Sequence, residues 1–180
     1  MKLKGHTAEL SNCIWNFDCS MIATGSLDAT ARLWDLRNMN MCMHTFDDHA
    51  DEVLDCCFDN AGRRLATASN DCTAKVWNVA NDFDLIAIMS GHMDEVSKVG
   101  WMFSMGDTLL NHFPQVCFSP AGNLLLTASS DRTARIWNAN TGACSQILSG
   151  HTSEVFSCAF NYSGDAILTA SKDNSCKIWR

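Results

Sequence analysis

The stretch Thr127-Ala-Ser-Ser-Asp131-Arg-Thr-Ala-Arg-Ile-Trp137 occurs in four variants along this chain. Thr24-Gly-Ser-Leu-Asp28 runs on to Trp34, Thr67-Ala-Ser-Asn-Asp71 to Trp77, and Thr169-Ala-Ser-Lys-Asp173 to Trp179. In every copy the Thr precedes the Asp, and the Trp follows it, at one fixed distance. Upstream stand Gly5-His6, Asp48-His49, Gly91-His92 and Gly150-His151. Self-similarity at a period of about 43 residues marks a repeat architecture in which each copy is one supersecondary unit.

The spacing dictates the unit. Residues before each Thr are apolar (Met21-Ile22-Ala23, Leu65-Ala66, Leu124-Leu125-Leu126, Ile167-Leu168), as a buried strand requires. Ser-x-Asp is turn chemistry, because an Asp side chain bonds its own backbone downstream. The runs Ala31–Trp34, Ala74–Trp77, Ala134–Trp137 and Cys176–Trp179 alternate with period two and read as second strands. So short a turn joins the two strands as an antiparallel hairpin. A buried indole N–H needs an acceptor, and a buried imidazole needs a partner on each nitrogen. Trp, Thr, His and Asp recurring together therefore predict one hydrogen-bonded chain per repeat. The fold class is all-β, with helical periodicity absent.

The 180 residues suffice for a sizeable core, and 47% hydrophobic against 18% charged residues exclude a disordered chain. Apolar runs are too short to span a membrane, and Met1-Lys-Leu-Lys leads straight into Gly5-His6 without room for a signal peptide. A net charge of -7 argues against nucleic-acid binding, which needs a basic face. Ten cysteines raise the question of metal or disulfides. Cys13, Cys56 and Cys158 each stand two before an aromatic (Trp15, Phe58, Phe160), where a small apolar strand residue belongs, and no Cys-x-x-Cys pair exists. They read as core thiols of a reducing compartment, and no cofactor or metal is expected.

The repeats divide as 1–46, 47–90, 91–149 and 150–180. Strands are expected near Leu10–Phe17, Met21–Ser26, Ala29–Trp34 and Met41–Phe46 in the first, with Leu85–Met89 the outer strand of the second. The third repeat holds an excess of about 17 residues, placed at 99–115, since Glu95-Val-Ser-Lys98 joined to Val116-Cys-Phe restores the pattern of Glu154-Val-Phe-Ser-Cys-Ala-Phe160. Val99-Gly-Trp101 also fits the strand end, as Cys13-Ile-Trp15 does. The local segment closes less loop and is expected to win, leaving Met105–Pro114 and Val116–Phe118 in a long loop. Such an insert reads as a retained in-frame intron in preference to a selected lid.

Four Gly-His/Asp/Trp sets spanning nearly the whole chain identify it as a member of the WD-repeat β-propellers. The resemblance implies four-stranded blades around a channel, with His6, Thr24, Asp28, Trp34 and their three sets of counterparts stabilising each blade. Within the family, Glu52-Val-Leu-Asp-Cys-Cys-Phe-Asp59 and the ending Ser171-Lys-Asp-Asn-Ser-Cys-Lys-Ile-Trp-Arg180 are similar to the C-terminal half of WD-repeat assembly factors for axonemal dynein. This implies an adaptor that carries outer-arm dynein subunits to the cilium with the intraflagellar transport complex, working in the cytoplasm, ciliary base and axoneme. The alternative is another WD-repeat adaptor, in signalling or as a ubiquitin-ligase substrate receptor. Rings of that group hold about twice as many repeats, so the chain resembles half a ring, as a fragment or isoform would.

Four His/Asp sets also raise the question of catalysis. An enzyme needs one site, not four equal ones, so their repetition argues for structure. Arg32, Lys75, Arg135 and Lys177, each two before a Trp, read as strand residues covering the indoles. Glu9, Glu52, Glu95 and Glu154 stand three after the His on one rim, free to meet a basic partner or to remain solvated. Beside them Leu27, Asn70, Ser130 and Lys172 vary in chemistry on the same scaffold, where binding specificity is written.

Overall fold

A computed structural model describes residues 2–37, 41–101, 123–161 and 163–180. The described residues form four antiparallel sheets, one per repeat, and no helix. The first holds β1 (Leu10–Trp15), β2 (Met21–Ser26), β3 (Ala31–Asp35) and β4 (Met41–Phe46) in that order. The second repeats it with β5 (Val53–Phe58), β6 (Arg64–Ser69), β7 (Thr73–Asn78) and β8 (Leu85–Ser90). The third uses β9 (Val96–Trp101), β10 (Leu124–Ser129), β11 (Thr133–Asn138) and β12 (Cys144–Ser149). The fourth has three strands, β13 (Val155–Phe160), β14 (Ile167–Ser171) and β15 (Cys176–Trp179).

Strand ends depart from the expected ones where a turn intervenes. β1 stops at Trp15 because Asn16 N–H closes a turn onto the Met21 carbonyl at 3.1 Å. β3 starts at Ala31, not Ala29, because Ala29 lies at φ 65°. Its counterparts Cys72, Arg132 and Asn174 share that left-handed conformation. A β-carbon there is strained, and the Asp before it offsets the strain by binding the residue after it.

Register makes the four sheets superposable. Ala23↔Leu33, Ala66↔Val76, Leu126↔Ile136 and Leu168↔Ile178 are paired across the same hairpin. In the third sheet Val99 pairs with Thr127 and Trp101 with Leu125, as Cys13 pairs with Thr24 and Trp15 with Ile22 in the first. The segment ending at Trp101 thus occupies the strand position for which two candidates compete in the sequence. Met105–Pro114 and Val116–Phe118 lie outside the described residues.

The first strands β1, β5, β9 and β13 pack on one another in succession. Between neighbouring sheets lie three apolar seams. Ala23, Leu33 and Phe46 meet Val53, Phe58 and Trp77; Ala66, Val76 and Met89 meet Val96, Leu125 and Trp137; Leu126 and Leu148 meet Val155, Phe160 and Ile167. Two-sided burial explains why the second strand of each of the first three sheets reads as a continuous apolar run and not as an alternating one. The outward flanks of the first and last sheets are exposed, so the sheets form an open partial ring.

The described cysteines are all free thiols. Cys56 and Cys158 are buried, but Cys13 at the same register position is exposed, against the expectation of a core thiol. Among the described residues no sheet packs on the outer side of its strand. Burial pushes the thiols of Cys56, Cys57 and Cys158 up. Among the described residues no three His, Cys, Asp or Glu side chains gather as metal ligands.

Candidate interaction surface

In each repeat the predicted four side chains meet. His6 Nδ1 lies 2.9 Å from Asp28 Oδ2, His6 Nε2 lies 2.8 Å from Thr24 Oγ1, and Trp34 Nε1 donates to that hydroxyl at 3.0 Å. The three separations are 2.8, 2.7 and 3.1 Å for His49, Asp71, Thr67 and Trp77. They are 2.7, 2.7 and 2.8 Å for His92, Asp131, Thr127 and Trp137. In the last repeat His151, Asp173, Thr169 and Trp179 give 2.8, 2.8 and 2.9 Å. The directions follow from donor arithmetic. A hydroxyl that accepts the indole N–H gives its own proton to His Nε2, so the neutral imidazole carries its proton on Nδ1 and donates it to the Asp.

Two further positions complete the set: the Ser read in the sequence as part of the Ser-x-Asp turn, and a hydroxyl two after the Asp that was missed although it recurs at a fixed offset. Thr30, Thr73, Thr133 and Ser175, two after each Asp, donate their hydroxyls to Asp Oδ1 at 2.6 Å. Ser26, Ser69, Ser129 and Ser171, two before it, accept the Asp backbone N–H at 3.1 Å. They in turn donate to the carbonyls of Glu9, Asp51, Asp94 and Ser153. Burial works to raise the Asp71 carboxyl, but the Thr73 hydroxyl and His49 hold it down at about 2. The Asp28 carboxyl is likewise well below the usual range, because bonds from Thr30, Thr7 and His6 outweigh its burial. Burial pushes His49 down, favouring the neutral ring. Each Asp is a structural anion saturated with donors.

Of the cations before the tryptophans, Arg135 covers its indole. The Arg135 guanidinium sits 5.8 Å from the centroid of the Trp137 ring. The glycines before His92 and His151 lie against the cation or indole of their own blade: a β-carbon on Gly91 would fall 2.9 Å from Arg135 Nη1, and one on Gly150 3.2 Å from the Trp179 ring.

What these frameworks fix is a rim. The N–H groups of Leu27, Asn70, Ser130 and Lys172 donate to the carbonyls of Glu9, Glu52, Glu95 and Glu154 at 3.0, 2.9, 3.1 and 3.0 Å. The eight rim positions are therefore joined in four backbone pairs, one beside each Asp turn. Their side chains differ in state. Lys172 Nζ bonds both carboxylate oxygens of Glu154 at 3.0 Å, and Ser130 Oγ donates to Glu95 Oε1 at 2.8 Å. Asn70 turns away from Glu52 and donates to Asp51 at 2.9 Å. The rim is thus acidic through the second and third repeats, where Asp51, Glu52, Asp94 and Glu95 gather, and neutralised in the fourth.

A second polar group runs between sheets and had no signal in the repeat pattern. Asp55 on β5 is buried and is held by Asn12 from β1, by Lys98 Nζ from β9 at 3.0 Å and by the Val99 N–H at 3.0 Å. Asn12, Asp55 and Lys98 occupy the same register position of three successive first strands, so one string of unlike side chains crosses three blades. Burial pushes the Asp55 carboxyl up against the pull of Lys98.

The family described as WD domain, G-beta repeat matches residues 1–35, 40–78, 83–138 and 142–180. A WD repeat-containing protein, pop1 of Schizosaccharomyces pombe, is 45% identical over 40 residues, covering 22% of this chain and 5% of that protein. The nuclear distribution protein PAC1 of Arthroderma benhamiae is 54% identical over 35 residues, 19% of this chain and 8% of its own length. The WD40 repeat-containing protein HOS15 of Arabidopsis thaliana is 50% identical over 34 residues, 19% of this chain and 6% of its own. Each match spans less than a tenth of the relative and roughly one repeat, so the likeness is to the repeat itself. Since the family match covers nearly all of the chain and every matched repeat carries its bonded Trp, Thr, His and Asp, the chain belongs to the WD40, G-beta repeat family.

Proposed function

We propose that the chain is part of a non-enzymatic scaffold that holds a basic protein segment on the acidic rim of its second and third blades. WD repeats imply protein binding, and their carboxylates and imidazoles here are spent on holding blades together. The observation that carries the reading is the pairing of each rim glutamate with a variable neighbour, which presents changeable side chains from a fixed backbone. At the finer level, the similarity of 52–59 and 171–180 to axonemal dynein assembly factors supports a role in bringing outer-arm dynein to cilia by intraflagellar transport. The protein would then work in the cytoplasm, at the ciliary base and in the axoneme.

Rim charges set encounter rate and salt dependence, while a few anchors hold a complex. The double variant Glu52→Lys/Glu95→Lys should slow association and flatten its salt dependence while leaving thermal unfolding nearly unchanged. Pulldown from ciliated cells should recover axonemal dynein chains with the parent and fewer with the variant. Recovery of ubiquitin-ligase or heterotrimeric signalling components instead, unaffected by the reversals, would overturn both the surface and the assignment.

A further inference from the structure

At the strand ends away from the rim glutamates, the second blade opens into a cleft of about 650 Å³. Its walls are the β5–β6 turn, carrying Arg63, and the β7–β8 turn, carrying Asn81, with Ile86 of β8 as an apolar patch. The backbone takes only a carbonyl from the Arg63 position, which accepts the Val79 N–H at 2.8 Å. Ser20 and Asn123 hold that place in the first and third blades, and their carbonyls accept from Leu36 and Ala139 at 3.1 and 2.7 Å. Arg64 is paired with Asn78 where Met21 is paired with Asp35 and Leu124 with Asn138. A repeated scaffold that folds with Ser-Met and Asn-Leu at these two places does not need adjacent arginines in one blade for its backbone.

The two guanidiniums are in different states. Arg64 is fixed: its Nε donates to Asp59 Oδ2 at 3.1 Å and its Nη1 to Asn140 Oδ1 of the third blade at 3.0 Å. The other Asp59 oxygen accepts the backbone N–H groups of Arg63 and Arg64 at 2.7 and 3.0 Å. Arg63 is exposed, and among the described residues its guanidinium has no hydrogen bond or ion pair. Asn78 also lines the cleft and accepts the Ala80 N–H at 3.1 Å, which leaves its amide Nδ2 unbonded among the described residues. One carboxylate against two guanidiniums leaves the cleft positive in a chain whose net charge is -7.

We propose that this cleft is a second binding site, for a protein segment that carries a carboxylate beside an apolar side chain. Arg63 receives the carboxylate through charge-assisted N–H bonds, the geometry for which a guanidinium fork is suited. Ile86 receives the apolar neighbour. A single excess positive charge matches one carboxylate, whereas Asp82 and Asp84 in the adjoining turn disfavour the greater charge of a phosphate. Exposure of both Arg63 and Asn81 leaves the cleft open along one side, which fits a chain lying across it better than an enclosed metabolite. The second blade then has opposite charge preferences at its two ends. This inference is independent of the rim reading above.

The probe is a capped short peptide with one leucine between two glutamates, titrated into the 180-residue chain while backbone amide NMR shifts are followed. Saturable shifts are expected at Arg63, Ala80 and Asn81, and none with the peptide whose glutamates are replaced by glutamine. Arg63→Ser installs the residue of the first blade at a side chain that bonds nothing in the fold, so the rest of the spectrum should stay in place. It should weaken binding at least about tenfold, the loss of a charge-assisted bond. Glu52→Lys/Glu95→Lys should leave this binding unchanged. Absent or unsaturated shifts, equal binding of the glutamine peptide, or an affinity unaltered by Arg63→Ser would overturn the proposal. So would tighter binding of a phosphoserine version of the peptide, which would assign the cleft to phosphate.

Discussion

Lys75 Nζ donates to the backbone carbonyl of Asp48 at 2.6 Å, in the repeat whose histidine is preceded by Asp and not Gly. The elsewhere tight approach of cation and indole to that backbone is relieved in the second blade by a lysine that bonds the main chain. Gly91 has no such relief: its φ is 147° and Arg135 lies against it. Gly91→Ala should therefore destabilise by at least about 1 kcal/mol, while Asp48→Gly should change stability by less than that. Urea midpoints at unchanged slope measure both, and equal effects would contradict the packing argument.

The tryptophan should be the largest single contributor to its network. Trp137→Ala opens a cavity and leaves Thr127 without a donor, for a cost of about 3–5 kcal/mol. His151→Ala leaves a hydroxyl and a carboxylate short of a partner and should cost roughly 1–3 kcal/mol. Denaturant midpoints equal to that of the parent for both would mean the bonded sets do not stabilise the blades.

Between blades, Lys98→Met should be worse than the loss of an exposed charge, because it strands the buried Asp55 carboxylate. A loss of up to about 3 kcal/mol is expected, and Asp55→Asn in the same background should restore part of it. A double-mutant cycle reads this coupling directly. Additive effects would show that the ion pair contributes nothing beyond its two halves.

Acid should unfold the protein through its turn carboxylates. Asp71 is held at about 2 against an ordinary 3.8, and Asp28, Asp131 and Asp173 are also lowered. A depressed carboxyl contributes stability that is present above its unfolded value and lost as pH falls through the folded one. His49, pushed below 6.5 by burial, acts in the same direction, since the unfolded ring takes a proton first. Asp55, pushed up by burial, opposes them, and its contribution falls as pH rises through the carboxylate range. With five residues against one, urea midpoints should decline from pH 7 to pH 3; a rise would refute the balance.

The hairpins, their turns and the bonded Trp-Thr-His-Asp sets were legible because each is local in sequence and repeated, so spacing alone fixes which side chains share a face. The Ser and Thr flanking each Asp carried the same signal and were readable by the same test. Only the tertiary structure could decide that Asn12, Asp55 and Lys98 meet, because they belong to different repeats and share no residue type. It also decided that Cys13 and Trp15 are exposed while Cys56 and Phe58 at identical register are buried. Sequence assigns a residue to a face, but burial belongs to the neighbouring blade that covers that face.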